Sequence, residues 1–258
     1  MKIQLGCLNR PWHVFTLQEA LAGISAAGYK TVGFTGPLVS ADMTDEDVQK
    51  LKSLLQANKL DAQVTISQPS LDLEPGEAVC RFEREMARAK DVGLKYFILC
   101  GTANENKYQQ WYSVVERCLD SAGEHGVTLL LKPHGGISSL GQDLLRAVER
   151  LAHPSFGICY DPGNIYYYTG QSAEEDLPAV ASKVRAMCIK DETGGKHGEV
   201  MFTPGTGLVD FKRIFSTLND AGFSGPCWVE CLGGTTVEEL NTEAKKAYNF
   251  ITGVVNSL

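Results

Sequence analysis

Glu124-His125-Gly126-Val127-Thr128-Leu129-Leu130-Leu131-Lys132-Pro133-His134-Gly135-Gly136 (124–136) reads as a helix end, a buried strand and a polar strand exit in direct succession. A glycine such as Gly126 takes the left-handed conformation that closes a helix, and the apolar Val127 packs back on the last turn. The run from Val127 to Leu131 is apolar but for Thr128, as a parallel strand covered on both sides should be. At Lys132 the apolar run stops.

The same punctuation recurs outward along the chain, at Ala27-Gly28-Tyr29, Asn58-Lys59-Leu60, Val92-Gly93-Leu94 and Ala221-Gly222-Phe223. Strands are expected over 3–8, 31–35, 61–66, 95–100, 127–132, 156–160, 185–190 and 227–231. Between them lie helical stripes such as Val79, Phe82, Met86 and Ala89, or Val237, Leu240, Ala244, Ala247, Tyr248 and Ile251, spaced three and four apart. Alternating strand and helix implies a parallel sheet. Eight strands close into a barrel without edges, and 258 residues match the roughly 250 that such a fold takes. The expected architecture is a single (β/α)8 barrel, one domain over 1–258. An open doubly wound sheet would favour a glycine-rich phosphate loop after the first strand. Here that strand runs instead into Cys7-Leu8-Asn9-Arg10-Pro11-Trp12.

Composition narrows the partners. The net charge is −7, and the 24 basic residues are scattered among 31 acidic ones, which argues against a nucleic-acid backbone. No run of about 18 apolar residues is present to span a membrane. Eight cysteines without CxxC spacing, several of them within apolar runs (Cys7, Cys100, Cys159, Cys188), read as buried reduced thiols of a cytoplasmic protein. No sequence feature decides between a monomer and a homo-oligomer.

Barrel enzymes keep their chemistry where the strands end. Four consecutive strand ends deliver charge to one rim: Lys132 and His134 after the fifth, Asp161 and Asn164 after the sixth, Lys190, Asp191 and Glu192 after the seventh, and Glu230 after the eighth. Lys190 and Asp191 are neighbours, so only one of them can face the barrel. Glu192 to Gly207, the longest irregular stretch, follows the seventh strand on the same face. Trp12, Phe34, Tyr108, Trp111 and Tyr166-Tyr167-Tyr168 offer aromatic faces for a sugar ring, and Trp12 is taken as substrate-binding. Lys196, Lys190 and Arg10 are candidate phosphate contacts.

Five segments carry a resemblance: Lys132-Pro133-His134-Gly135-Gly136, Asp161-Pro162-Gly163-Asn164, Ile189-Lys190-Asp191, Pro204-Gly205-Thr206-Gly207 through Asp210-Phe211, and Val229-Glu230. Together they resemble the sugar phosphate isomerase/epimerase family of xylose isomerase-like TIM barrels, over essentially the whole chain. That family holds a divalent ion (Mn, Mg, Co or Zn) with Glu, Asp, His and Glu from strands five to eight. The resemblance puts Asp161 and Glu230 on two of those positions. It puts Lys132 where the strand-five Glu would stand and Cys188 where the strand-seven His would stand.

Two alternatives follow. Asp161, Glu230 and Cys188 could still hold an ion, helped by His134, Asp191 or Glu192, although an ammonium at Lys132 repels it and a thiolate favours Zn. Otherwise Lys132 takes over the cation's work, polarising a carbonyl, or, with a depressed pKa, acting as a base or Schiff-base amine. The implied activity is isomerisation or epimerisation of a keto or aldo sugar, polyol or sugar acid through an enediolate. Glu230 is the base, Lys132 and His134 are catalytic, and Asn164, Asp191, Lys190 and Trp12 bind substrate. A lyase, dehydratase or decarboxylase using the same intermediate is the nearest rival, and a sugar-binding barrel without turnover is a third reading. The DNA-repair branch of the same fold is disfavoured, because its three-zinc site needs more histidines than the five present.

Overall fold

Most strands are launched by a helix end. A computed structural model of the chain describes all 258 residues. Gly28, Gly93, Gly126 and Gly222 all have positive φ, and the following Tyr29, Leu94, Val127 and Phe223 are buried. The amide of the last three, like that of Leu60, donates to the carbonyl five residues back, as this closing motif requires. The second site differs from expectation in one detail. Asn58 stays at φ −94°, and Lys59 takes the left-handed turn at φ 55°. Asn58 instead turns its side-chain amide back to donate to the Leu54 carbonyl.

The strands are β1 (Gln4–Leu8), β2 (Thr31–Thr35), β3 (Asp61–Ile66), β4 (Tyr96–Leu99), β5 (Thr128–Leu131), β6 (Phe156–Tyr160), β7 (Val184–Ile189) and β8 (Pro226–Val229). Every neighbouring pair is parallel, and β8 returns to pair with β1, so the sheet is a closed barrel in sequence order. Around it run α1 (Leu17–Ala27), α2 (Asp45–Ala57), α3 (Pro75–Val92), α4 (Tyr108–Glu124), α5 (Gly141–Leu151), α6 (Pro162–Thr169), α7 (Ala173–Asp176), α8 (Phe211–Asp220) and α9 (Val237–Asn256). The expected eight helices become nine because β6 is followed by both α6 and the four-residue α7. No helix is long and apolar enough to cross a membrane.

The core has two compartments. The larger lies between barrel and helices, and includes the expected stripe of Val79, Phe82, Met86 and Ala89. The smaller fills the barrel with Leu8, Val64, Ile98, Leu130, Cys159, Ala186, Cys188 and Trp228. Its base is polar but satisfied: the Trp228 indole N–H donates to Gln63 Oε1 at 2.8 Å, and Gln63 Nε2 donates to Gln4 Oε1 at 2.6 Å.

That inner layer fixes the site. Side chains alternate across a strand, so the residue two beyond each inward one also faces the axis. Two beyond Leu130, Cys159, Cys188 and Trp228 stand Lys132, Asp161, Lys190 and Glu230.

Candidate active site

Those four side chains meet at the C-terminal mouth. Lys132 Nζ donates to Glu230 Oε2 at 2.7 Å and lies 3.3 Å from Asp161 Oδ2. Lys190 Nζ lies 2.8 Å from Glu230 Oε1 and 3.5 Å from Asp161 Oδ2, and donates to Asn164 Oδ1 at 2.9 Å. Each ammonium thus touches both carboxylates. All four residues are buried. Asp161 Oδ2 is fully buried and has no well-aligned hydrogen bond. Its other oxygen caps α6 by accepting from the Asn164 amide at 3.0 Å.

The frame behind these groups is local. Asn164 anchors itself by donating from Nδ2 to the Pro133 carbonyl at 2.7 Å. Gly163 makes room for the Lys190 stem, since a Cβ there would come within 2.7 Å of Lys190 Cγ and 2.8 Å of the Lys190 carbonyl oxygen. Gly136, at φ 54°, lets the chain after His134 pass close to the Thr102 carbonyl, where a Cβ would sit 2.3 Å away.

Above the charged layer opens a cavity of about 300 Å³. Arg10, Thr35, Ile66, Cys100, Lys132, His134, Asn164, Tyr167, Tyr168, Lys190, Val200 and Glu230 line it. The Arg10 guanidinium sits at its edge, 3.5 Å from Glu230 Oε1, and donates to Cys231 Sγ. The His134 ring pairs with the Tyr168 hydroxyl at 3.0 Å.

Burial works against every charge here, and the neighbours decide the outcome. Burial pushes the Lys132 pKa down, but Glu230 and the other acidic groups around it win, and it ends well above the usual lysine value. Burial pushes Glu230 up, but Lys132, Lys190 and Arg10 hold it well below the usual carboxylate range. Both groups therefore stay ionised at neutral pH. This corrects one expectation: Lys132 is no neutral amine for Schiff-base chemistry. Burial, then Lys132 and Lys190, lowers His134 to about 4, so its imidazole is neutral.

Asp191 and Trp12 do not reach the cavity. Asp191 points away from the axis, as its neighbour Lys190 points in. Its Oδ2 accepts from the amides of Gly205 and Gly207 at 2.8 and 2.9 Å, and its Oδ1 from those of Glu192 and Val209 at 2.9 and 3.0 Å. It ties down the long loop after β7, whose Val200 reaches the cavity wall. The Trp12 ring is buried in the outer core, and its indole N–H donates to Asn241 Oδ1 of α9. Among the other aromatic candidates only Tyr167 and Tyr168 line the cavity, and Lys196 does not. Thr35 and Cys231 were not singled out in the sequence. Thr35 ends its strand two residues beyond Gly33, and that strand-end position was its only signal.

The family profile for xylose isomerase-like TIM barrels matches residues 21–252. The chain belongs to this family. A relative, L-ribulose-5-phosphate 3-epimerase of Escherichia coli K12, is 26% identical over 249 residues, covering 86% of each chain. Among solved structures, a xylose isomerase domain protein from Planctomyces limnophilus superposes with a TM-score of 0.80 at 20% identity, covering 100% of this chain and 99% of that one. The D-psicose 3-epimerase of Clostridium cellulolyticum H10 gives 0.81 at 14% identity, covering 98% and 99%.

The divalent ion implied by the family resemblance fits these residues poorly. Asp161, Cys188 and Glu230 do bring one ligand atom each to within 4.8 Å of one another. But Lys132 and Lys190 already contact both carboxylates there. Burial, then its neighbour Cys159, holds the Cys188 thiol well above its usual pKa, so it is no thiolate. Asp191 and Glu192 accept from loop amides instead.

Proposed function

We propose that this protein is a sugar isomerase or epimerase that removes a proton next to a carbonyl and passes through an enediolate. The observation that carries the reading is the Lys132–Asp161–Lys190–Glu230 layer under an open cavity lined by His134, Asn164 and Tyr168. The family membership and the epimerase relative support it.

Glu230 is the proton acceptor, since a carboxylate keeps lone pairs for a carbon-bound proton. In the resting site its basicity is damped by two ammonium groups. As negative charge builds on the substrate oxygen, Lys132 turns a hydrogen bond from Glu230 toward that oxygen. The oxyanion gains a charged donor in a water-poor site, and the carboxylate loses one, which makes it a better base at that moment. His134 and Tyr168, neutral and paired, hold a substrate hydroxyl and relay its proton. Lys190 and Asn164 keep Glu230 and Asp161 in place. Arg10, Lys132 and Lys190 outnumber the two carboxylates, so the cavity favours an anionic sugar, phosphate or acid, in an otherwise acidic protein. The reading includes one domain over 1–258 and, from eight free cysteines, a cytoplasmic setting.

The test is incubation with ketoses, ketose phosphates and sugar acids in D2O, followed by NMR. Deuterium next to the carbonyl, together with a new isomer, is the expected result. Loss of water or CO2 would instead assign a lyase. Binding without any exchange would leave a sugar-binding barrel.

A further inference from the structure

We propose that the lysine pair occupies the place of the divalent cation, and that this barrel works without a metal ion. The inference rests on the reading of the mouth as the active site, but its test needs no substrate.

Charge balance is the first support. Exchanging a carboxylate for an ammonium at position 132 moves the local charge from minus one to plus one. That change equals the charge a divalent ion would have brought. The site therefore keeps the field of a metal-loaded carboxylate cluster once the ion is gone, whereas keeping both would leave a large uncompensated positive charge in a buried pocket.

Geometry is the second. A bridging ion contacts both carboxylates, and here each ammonium does so, at 2.7 and 3.3 Å for Lys132 and at 2.8 and 3.5 Å for Lys190. Little room remains for a third cation among the same oxygens. Cys188 fits the same picture. In place of a ring nitrogen aimed at an ion, its sulfur lies in the barrel interior 3.7 Å from Cys159 Sγ.

The two lysines divide the work. An ammonium has three N–H groups. Lys190 faces three oxygens, on Asn164, Glu230 and Asp161. Lys132 faces two, on Glu230 and Asp161, and also lines the cavity. Lys132, with fewer protein partners, is the one that turns toward a ligand oxygen, while Lys190 is a positioning residue that holds the carboxylates.

Wild-type protein, stripped with EDTA and desalted, is titrated with Mn2+ while free Mn2+ is followed by EPR. Its retained Mn and Zn are then measured by mass spectrometry. No stoichiometric binding is expected; one Mn2+ or Zn2+ retained per chain overturns the proposal. The paired substitution Lys132→Glu with Cys188→His should gain one bound Mn2+ per chain. A folded double variant that binds none also overturns it, and if that variant does not fold, the wild-type titration decides alone. Should the D2O panel show no exchange while the wild type still binds no metal, the proposed activity falls and the metal-free centre stands.

Discussion

Lys132 and Glu230 follow β5 and β8, three strands apart around the barrel and 98 positions apart in sequence, yet their ammonium and carboxylate meet at 2.7 Å in a buried layer. Neither charge has a bulk-water alternative. Each keeps a second partner if the other is removed, Lys190 for Glu230 at 2.8 Å and Asp161 for Lys132 at 3.3 Å, so the layer can lose one charge without leaving its neighbour unpaired.

Lys132→Met removes the donor to the developing oxyanion and keeps most of the side-chain volume. Turnover should fall by about 10²–10³, the scale measured for loss of one such donor. The check is kcat on whichever substrate exchanges in D2O, with circular dichroism to show that the fold persists. Wild-type activity in this variant would remove Lys132 from the chemistry.

Gly163→Ala tests the packing behind the site. The new methyl would press on the Lys190 stem and on its backbone carbonyl, which cannot swing aside. A loss of about 1–3 kcal/mol is expected from overpacking at this point, read as a lower denaturation midpoint. A shift of Lys190 should also weaken ligand binding.

Asp191→Ala tests the anchor of the long loop. Four backbone amides would lose their acceptor together. The expected cost is at least the roughly 1–3 kcal/mol of one buried unsatisfied group. Limited proteolysis should then cut within 192–209 faster than in the wild type. A variant with unchanged cleavage would show that the loop is held by other contacts.

The pH dependence of stability should carry a signature of His134. Its pKa falls from 6.5 to about 4 on folding, because burial and the nearby lysines disfavour the imidazolium. The unfolded chain binds a proton below pH 6.5 that the folded chain refuses until about pH 4. This contribution is therefore complete above the unfolded pKa and is lost as pH falls through that window. Partial exposure reduces the linkage value to about 2–3 kcal/mol. His134→Gln should flatten the denaturation midpoint between pH 6.5 and 4 relative to wild type. Glu230 acts lower on the scale: its depressed pKa means its contribution disappears only as pH drops below the ordinary carboxylate range.

Strands and their order were legible because the signal is local and repeated: a helix end, an apolar run, a polar exit. All eight strands lie within a residue or two of expectation. The identity of the mouth residues was legible for the same reason. Which of Lys190 and Asp191 faces inward was not, because a continuously apolar strand hides its own parity. Only the packing of Cys188 inside the barrel reveals it. Trp12 looked like a sugar platform because it follows a strand, but the short turn over Arg10–Trp12 swings it outward beneath α9. The direction of the Glu230 pKa was out of reach as well. It depends on two ammonium groups converging from other strands, and sequence spacing does not encode distance across a barrel.

The alternation along β7 has an evolutionary corollary. Deleting one residue in that strand would present Asp191 to the axis in place of Lys190, turning a cation into an anion, and inserting one would present Ile189, in both cases without any codon at the mouth being altered. The chemistry of this centre should therefore tolerate drift in the identity of its strand residues far better than any change in their number.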